Sequence, residues 1–340
     1  EADPTTYHGV SPFDPQVGIE KKPADPSHPT YTQVFSKWVC DMGEADPQLY
    51  AITPAMREGS GLVEFEKRFP ERYRDVAIAE QHAVTYAAGL ACAGMHPVVA
   101  IYSSFAQRAY DQILHDVAIQ NLGVTFAIDR GGIVGADGAT HHGVFDLAFL
   151  RSIPNMTVMA PSDEAETRQM LTTAVKLGTP AAVRYPRGKG PGILGGDELT
   201  TLEVGKSRTL LTATAPAGRR VAFLAFGSMV YDLKPLAEKL GATLIDMRFV
   251  KPLDRDAVIE AAKTHDLLVT AEEGVKAGGA GAGILEILAD EGLTVPVLVE
   301  GIADRFVEHG TKEQLMKDLA LDTESIESAV LKRFSQRETQ

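Results

Sequence analysis

Residues 76–91 read VAIAEQHAVTYAAGLA. The first four form a short apolar run and predict a buried strand, and the stretch from His82 onward predicts an apolar helix. Glu80 stands at the junction. A strand that passes into a helix in this way is the β–α step of an open α/β sheet, whose ligands gather at the carboxyl ends of the strands. The helix N-terminus favours an ionised carboxylate, whereas desolvation among apolar neighbours opposes ionisation. A carboxyl group held between these forces suits a cofactor with a ring nitrogen that must be protonated on demand. Alone, Glu80 also reads as an ordinary acidic first turn, so its surroundings must decide.

Working outward, a β/α alternation begins at Thr30. Strand-like runs fall at 48–53, 76–79, 97–102, 124–129, 156–160 and 181–185, with helical patterns at 31–42, 82–94, 107–121 and 163–177. This predicts a doubly wound, mostly parallel sheet over 30–185. Residues 1–29 hold six prolines and read as an extended connector. Residues 186–218, rich in Gly, Pro and Thr, read as a linker. A second α/β unit is expected over 219–340, with strands near 219–227, 242–247, 266–271 and 295–300 and a helical close at 311–336.

Of the 340 residues, 44% are hydrophobic and 23% charged, as in a globular protein with substantial cores. The net charge of −13 argues against nucleic acid or an anionic membrane as partner. An anionic substrate would therefore need a local basic cluster. Cys40 and Cys92 both lie in helix-like apolar patterns and are expected to be buried thiols in a reducing cytosol. No run approaches the length of a membrane span and no signal-peptide h-region opens the chain. A cytoplasmic location is expected. The opening EADPTTYHGV has no initiator methionine, and a fragment or processed chain is expected.

Chemistry-bearing residues collect after the strands of the first unit. YSSFAQR (102–108) supplies Tyr102, Phe105 and Arg108; DRGGIVGADGATHHGVFD (129–146) supplies Arg130, Asp137, His141 and His142; YPRG (185–188) supplies Arg187. Each has an ordinary reading: Phe105 as core, Arg130 as a surface charge, Asp137-Gly138 as a turn, the histidines as solvated. Four successive strand ends facing one rim favour a site, because idle loops of this kind hold plain turn residues. Arginines suit a phosphate or carboxylate through the guanidinium fork, and histidine with aspartate can handle hydroxyl and carbonyl protons. The set fits a phosphorylated aldehyde or ketose together with a carbanion-forming cofactor addressed by Glu80. No spacing suggests zinc, and no metal ligand is expected on this chain.

These motifs, with IAEQHA around Glu80, resemble the 1-deoxy-D-xylulose-5-phosphate synthase family of transketolase-like thiamin diphosphate enzymes, from about Tyr7 to near the C-terminus. The resemblance implies a thiamin-diphosphate-binding, pyrimidine-type α/β domain followed by a transketolase C-terminal-like α/β domain. It implies decarboxylation of pyruvate and carboligation to D-glyceraldehyde 3-phosphate, a step serving isoprenoid, thiamin and pyridoxal biosynthesis. By similarity Glu80 activates the cofactor and Phe105 packs on its aminopyrimidine. Tyr102, Arg130 and Arg187 would hold the acceptor phosphate, while Arg108, Asp137 and His141 line the donor and acceptor site. His8, in YHGV, resembles a linker histidine that approaches the cofactor. A homodimer is implied as well.

One departure is large. The family's GDG…N motif, whose Asp and Asn hold the divalent metal on the diphosphate, does not occur in this sequence. Mg²⁺ ligands are therefore expected in an N-terminal domain on another polypeptide. The run AGGAGAG (277–283) looks like a dinucleotide fingerprint, but Glu286 takes the place of the third glycine, so a tight strand-to-helix turn is expected. The alternatives are a β-subunit of a 2-oxo-acid dehydrogenase complex, against which DGATHHG and YPRG count, and a non-catalytic module of the same fold.

Overall fold

The computed structural model describes residues 10, 13–19 and 25–338. His8 and most of the expected connector 1–29 lie outside the described residues. Twelve strands follow in chain order among the described residues: β1 (Leu49–Thr53), β2 (Tyr73–Asp75), β3 (His96–Tyr102), β4 (Thr125–Asp129), β5 (Thr157–Met159), β6 (Ala181–Arg184), β7 (Arg208–Leu211), β8 (Val221–Ala225), β9 (Thr243–Asp246), β10 (Phe249–Lys251), β11 (Leu267–Val275) and β12 (Val297–Ile302). They form a seven-stranded sheet ordered β10-β5-β6-β4-β3-β1-β2 and a five-stranded sheet ordered β12-β11-β8-β9-β7. All pairings are parallel except β10 on β5 and β7 on β9, which are antiparallel edges.

Period-2 alternation explains the layering of the first sheet. Val99 and Ile101 of β3, with Phe126 and Ile128 of β4, pack on Ala83, Val84 and Ile113. Val98, Ala100 and Ala127 face the opposite way, onto Phe35, Trp38 and Met170. Strands covered on both faces read as continuous apolar runs. The first of these cores also takes in Leu224, Phe226, Met247, Leu268 and Ile284, so the two sheets share one hydrophobic interior. The far face of the second sheet packs Phe223, Ala225 and Val269 against Met229, Leu233, Ile326 and Val330. Fully burying one such side chain contributes about 1.5–3 kcal/mol relative to leaving it exposed.

Several expectations need correction. Residues 76–79 are not a strand. β2 ends four residues before the expected end, at Asp75, whose Oδ1 accepts the amides of Ala55 and Ala77 at 2.8 Å each. Ala77 then takes φ +58°, and Ile78 is 73% exposed in a loop. The apolar letters there belong to a turn out of the sheet edge. Glu80 nevertheless opens the helix Glu80–Cys92. Cys40 is buried but Cys92, at the last residue of that helix, is exposed. The expected helix at 107–121 is a run of short 3₁₀, α and π turns over 107–118. The stretch read as a linker contains β7, and β10, from the second half of the chain, pairs with β5 in the first sheet.

Candidate active site

The site grows from the carboxyl ends of β3 and β4. Tyr102 closes β3, and one turn later Phe105 stacks on it, with ring centroids 5.4 Å apart and planes at 16°. The Arg130 guanidinium also lies over the Tyr102 ring, 4.1 Å from its centroid. His141 meets Phe105 edge-on at 5.5 Å. Arg130, Tyr102, Phe105 and His141 therefore form one continuous stack, in which the guanidinium sits on the electron-rich ring face. Burial pushes the Tyr102 phenol up to about 12, so it remains neutral. A Cβ at Gly59 would collide with the Tyr102 hydroxyl, which accounts for glycine at that position.

Arg130 follows β4 with φ +60°, a left-handed conformation uncommon for a side-chain-bearing residue. Asp129, fully buried, fixes it. Its Oδ1 accepts the Arg130 amide at 2.7 Å, and its Oδ2 accepts Arg130 Nη1 at 2.7 Å and the Thr32 hydroxyl at 2.8 Å. The same Nη1 reaches the Gly59 carbonyl at 3.1 Å. Thr32 stands in the first turn of the helix Tyr31–Ala45, which is capped reciprocally by Thr30 and Gln33. Burial raises the Asp129 carboxyl, and the Arg130 charge pulls against it. Neither Asp129 nor Thr32 is singled out by the sequence reading; the only signal is the acid–arginine dipeptide at a strand end.

Arg187 Nη1 binds Asp137 Oδ2 at 2.8 Å and the Val134 carbonyl at 3.1 Å, and both side chains are 46% exposed. The charges of Arg130, Arg187, Asp129 and Asp137 all act on the Tyr102 phenol, so these groups share one neighbourhood. Glu80 is 3% exposed, and its Oε2 makes no hydrogen bond within the protein. Arg108 Nε approaches that oxygen to 3.3 Å, while the Arg108 side chain is half exposed. A buried, hydrogen-bond-free carboxylate oxygen is costly unless a ligand completes it. His141 is partly buried, with Nδ1 2.9 Å from the Thr140 hydroxyl.

The loop 131–143 is packed from behind by residues that sequence reasoning missed. Arg184 donates Nε to Asp146 Oδ2 at 3.0 Å and Nη2 to the carbonyls of Gly143 and Glu273. Glu273 is buried and accepts from Ser228, Lys312 and the Ile133 amide. Burial would raise the Glu273 carboxyl, but Lys312, together with the hydrogen bonds from Ser228 and the Ile133 amide, holds the group below its ordinary value. A Cβ on Gly131 would run into Arg184, and one on Gly143 into the Arg130 carbonyl. The glycine run at 277–283 does make a strand-to-helix turn. Glu272 Oε2 and Oε1 accept the amides of Ala280 (2.9 Å) and Gly281 (2.8 Å) at the start of the helix Ala280–Asp290. That helix N-terminus is thus satisfied by the chain's own carboxylate.

Residues 27–192 match the transketolase pyrimidine-binding domain and residues 212–326 the transketolase C-terminal domain. The 1-deoxy-D-xylulose-5-phosphate synthase of Ralstonia pickettii (strain 12J) is 59% identical over 335 residues, covering 98% of this chain and 52% of the relative. That of Cupriavidus necator is 59% identical over 334 residues, with the same coverage. The chain spans about half the length of the curated relatives it matches. Among solved structures, a protein titled "Split gene transketolase, inactive beta4 tetramer" superposes with a TM-score of 0.78 at 28% identity, over 90% of this chain and 98% of that one. The chain belongs to the transketolase family, carrying its pyrimidine-binding domain followed by its C-terminal domain.

Proposed function

We propose that this chain supplies the pyrimidine-side half of a 1-deoxy-D-xylulose-5-phosphate synthase. In that reaction pyruvate loses CO₂ and its remaining two-carbon unit is joined to the aldehyde carbon of D-glyceraldehyde 3-phosphate. The observation that carries the reading is the buried Glu80 Oε2, left without a hydrogen bond, together with the stack formed by Arg130, Tyr102, Phe105 and His141. Thiamin diphosphate, when bound, supplies a ring that stabilises negative charge on the carbon released from pyruvate. Glu80 would exchange a proton with the aminopyrimidine nitrogen, and the exposed part of Phe105 would pack on that ring. Arg130 and Arg187, supported by Tyr102, would clamp the acceptor phosphate against the chain's net charge of −13. Asp137, His141 and Arg108 would orient the donor carboxylate and the acceptor hydroxyl and carbonyl groups. His8 joins this list by resemblance alone.

Mg²⁺ and its ligands are assigned to a further polypeptide segment, since the relatives are about twice as long and the GDG motif is absent from the sequence. A split-gene transketolase whose chain matches nearly end to end is titled inactive as a β4 tetramer, which supports a chain that needs a complement. We place the assembled protein in the cytoplasm as a homodimer of such pairs. The test is formation of 1-deoxy-D-xylulose 5-phosphate and CO₂ by the chain combined with a polypeptide carrying the metal-binding half. An assembly that decarboxylates pyruvate yet passes the two-carbon unit only to a lipoyl acceptor would favour the dehydrogenase β-subunit reading instead.

A further inference from the structure

The loop carrying Asp137 and His141 closes at its neck, where Gly132 and Gly143 exchange backbone hydrogen bonds of 2.6 and 2.9 Å. Beyond the neck its backbone is fastened to the second half of the chain. Ile133 N donates to Glu273 Oε2 at 3.0 Å. Val134 N donates to His142 Nδ1 at 3.1 Å. That bond requires Nδ1 to be an unprotonated acceptor, so the single ring proton of His142 sits on Nε2. Nε2 in turn lies 3.0 Å from the Glu308 carbonyl, 166 residues away in sequence, and donates to it. Gly310 N reaches the Gly135 carbonyl at 3.4 Å, and the back of Gly138 lies against His309. His142 is 2% exposed and Glu273 1%. Their neighbours Asp137 and His141 lie on the accessible side of the same loop.

We propose that His142 and Glu273 are positioning residues through which the C-terminal half sets the placement of Asp137 and His141. The proposal rests on the synthase reading only for what the loop does, not for how it is held. His142 is suited to the task because one ring provides an inward acceptor and an outward donor in a single rigid plane. A glutamine offers the same pair of groups, whereas a leucine offers neither. A misplacement of about 1 Å at a substrate-orienting group costs up to about 100-fold in rate.

The experiment compares His142→Leu and His142→Gln in the assembled enzyme, and follows amide exchange and imidazole ¹⁵N shifts in the chain itself. We expect His142→Leu to lower kcat/KM for glyceraldehyde 3-phosphate by about 10- to 100-fold and His142→Gln to recover most of that loss. We also expect slow exchange at Ile133 and Val134 in wild type, loss of Val134 protection in the leucine variant, and an Nε2–H tautomer for His142. Full activity in His142→Leu, no recovery by glutamine, or a protonated Nδ1 in wild type overturns the proposal. Should the leucine variant not fold, Val134 protection in wild type and in His142→Gln decides: slow exchange in both supports the fastening, and free exchange refutes it. An inactive wild-type assembly counts against the synthase reading, and the exchange and tautomer measurements still decide the fastening.

Discussion

The Arg130 guanidinium lies over the Tyr102 ring at 4.1 Å while its Nη1 is bound to the buried Asp129 carboxylate at 2.7 Å. Arg187, in contrast, is 46% exposed and paired with an equally exposed Asp137. If both arginines hold the acceptor phosphate, losing either removes a charge-assisted contact of roughly 1.5–3 kcal/mol. Arg130→Ala and Arg187→Ala should each raise KM for glyceraldehyde 3-phosphate by about 10- to 150-fold and hardly affect unphosphorylated glyceraldehyde. Their stabilities should diverge. Arg130→Ala strands a buried carboxylate and should cost about 3–5 kcal/mol, against less than about 1 kcal/mol for the exposed pair. Steady-state kinetics with both acceptors and urea melts of both variants check this; equal KM penalties with the two acceptors would make the arginines structural.

Glu80→Gln keeps the shape of a side chain that is 3% exposed but removes its capacity to accept and return a proton. Turnover of the assembled enzyme should fall by about 10²–10⁴-fold, the usual contribution of a placed proton-transfer group. Folding stability should change little, because the buried Oε2 makes no internal hydrogen bond to lose and its ion-pair partner, Arg108, is half exposed. The measurement is deuterium exchange at the cofactor C2 position. Wild-type exchange in the variant would remove Glu80 from cofactor activation.

Much of this site was legible because each apolar run stops abruptly at polar residues that serve no turn. Tyr102 closes β3, and Arg130 and Arg187 come just after β4 and β6, as the sequence implies. What escaped depends on tertiary partners. β2 reads YRD and carries no apolar signature, because it is an edge strand paired only with β1. The apolar letters beside it drew the strand four residues too far, although Ile78 there faces solvent. β10 joins the first sheet although it arises in the second half, and no local pattern encodes that return. Asp129 and Glu273 looked like strand polar residues, and His142, whose ordinary reading was a solvated histidine, is buried. Their meaning comes from partners 97 to 166 residues away.

Gly132 sits at φ +87°, and a Cβ there would lie 2.6 Å from Glu273 Oε2 and 2.9 Å from Glu273 Cβ. Gly178, at φ +64°, has nothing within 4 Å of its imagined Cβ. Gly178→Ala should therefore cost only the left-handed strain, about 1–2 kcal/mol. Gly132→Ala should cost about 1–3 kcal/mol more, since Glu273 is buried and packed and cannot retreat freely. Chemical denaturation midpoints of the two variants provide the comparison. Equal losses would mean that the Gly132–Glu273 approach is not tight in solution.

Glu272 makes the stability of the chain depend on pH. Burial raises its carboxyl from 4.5 to about 7, against the opposing pull of the Gly281 and Ala280 amides. The folded state therefore binds this proton more tightly than the unfolded state does. The group's contribution is fully present below about pH 4.5 and is lost as pH rises through about 7. The difference corresponds to about 3 kcal/mol, at 1.36 kcal/mol per pKa unit. Glu272→Gln cannot ionise and should remove this dependence, at the cost of one acceptor for the helix amides at every pH. The free energy of unfolding of wild type relative to the variant should thus fall between pH 5 and pH 8. A difference that stays flat, or grows, across that range would show that the two helix amides hold Glu272 ionised throughout.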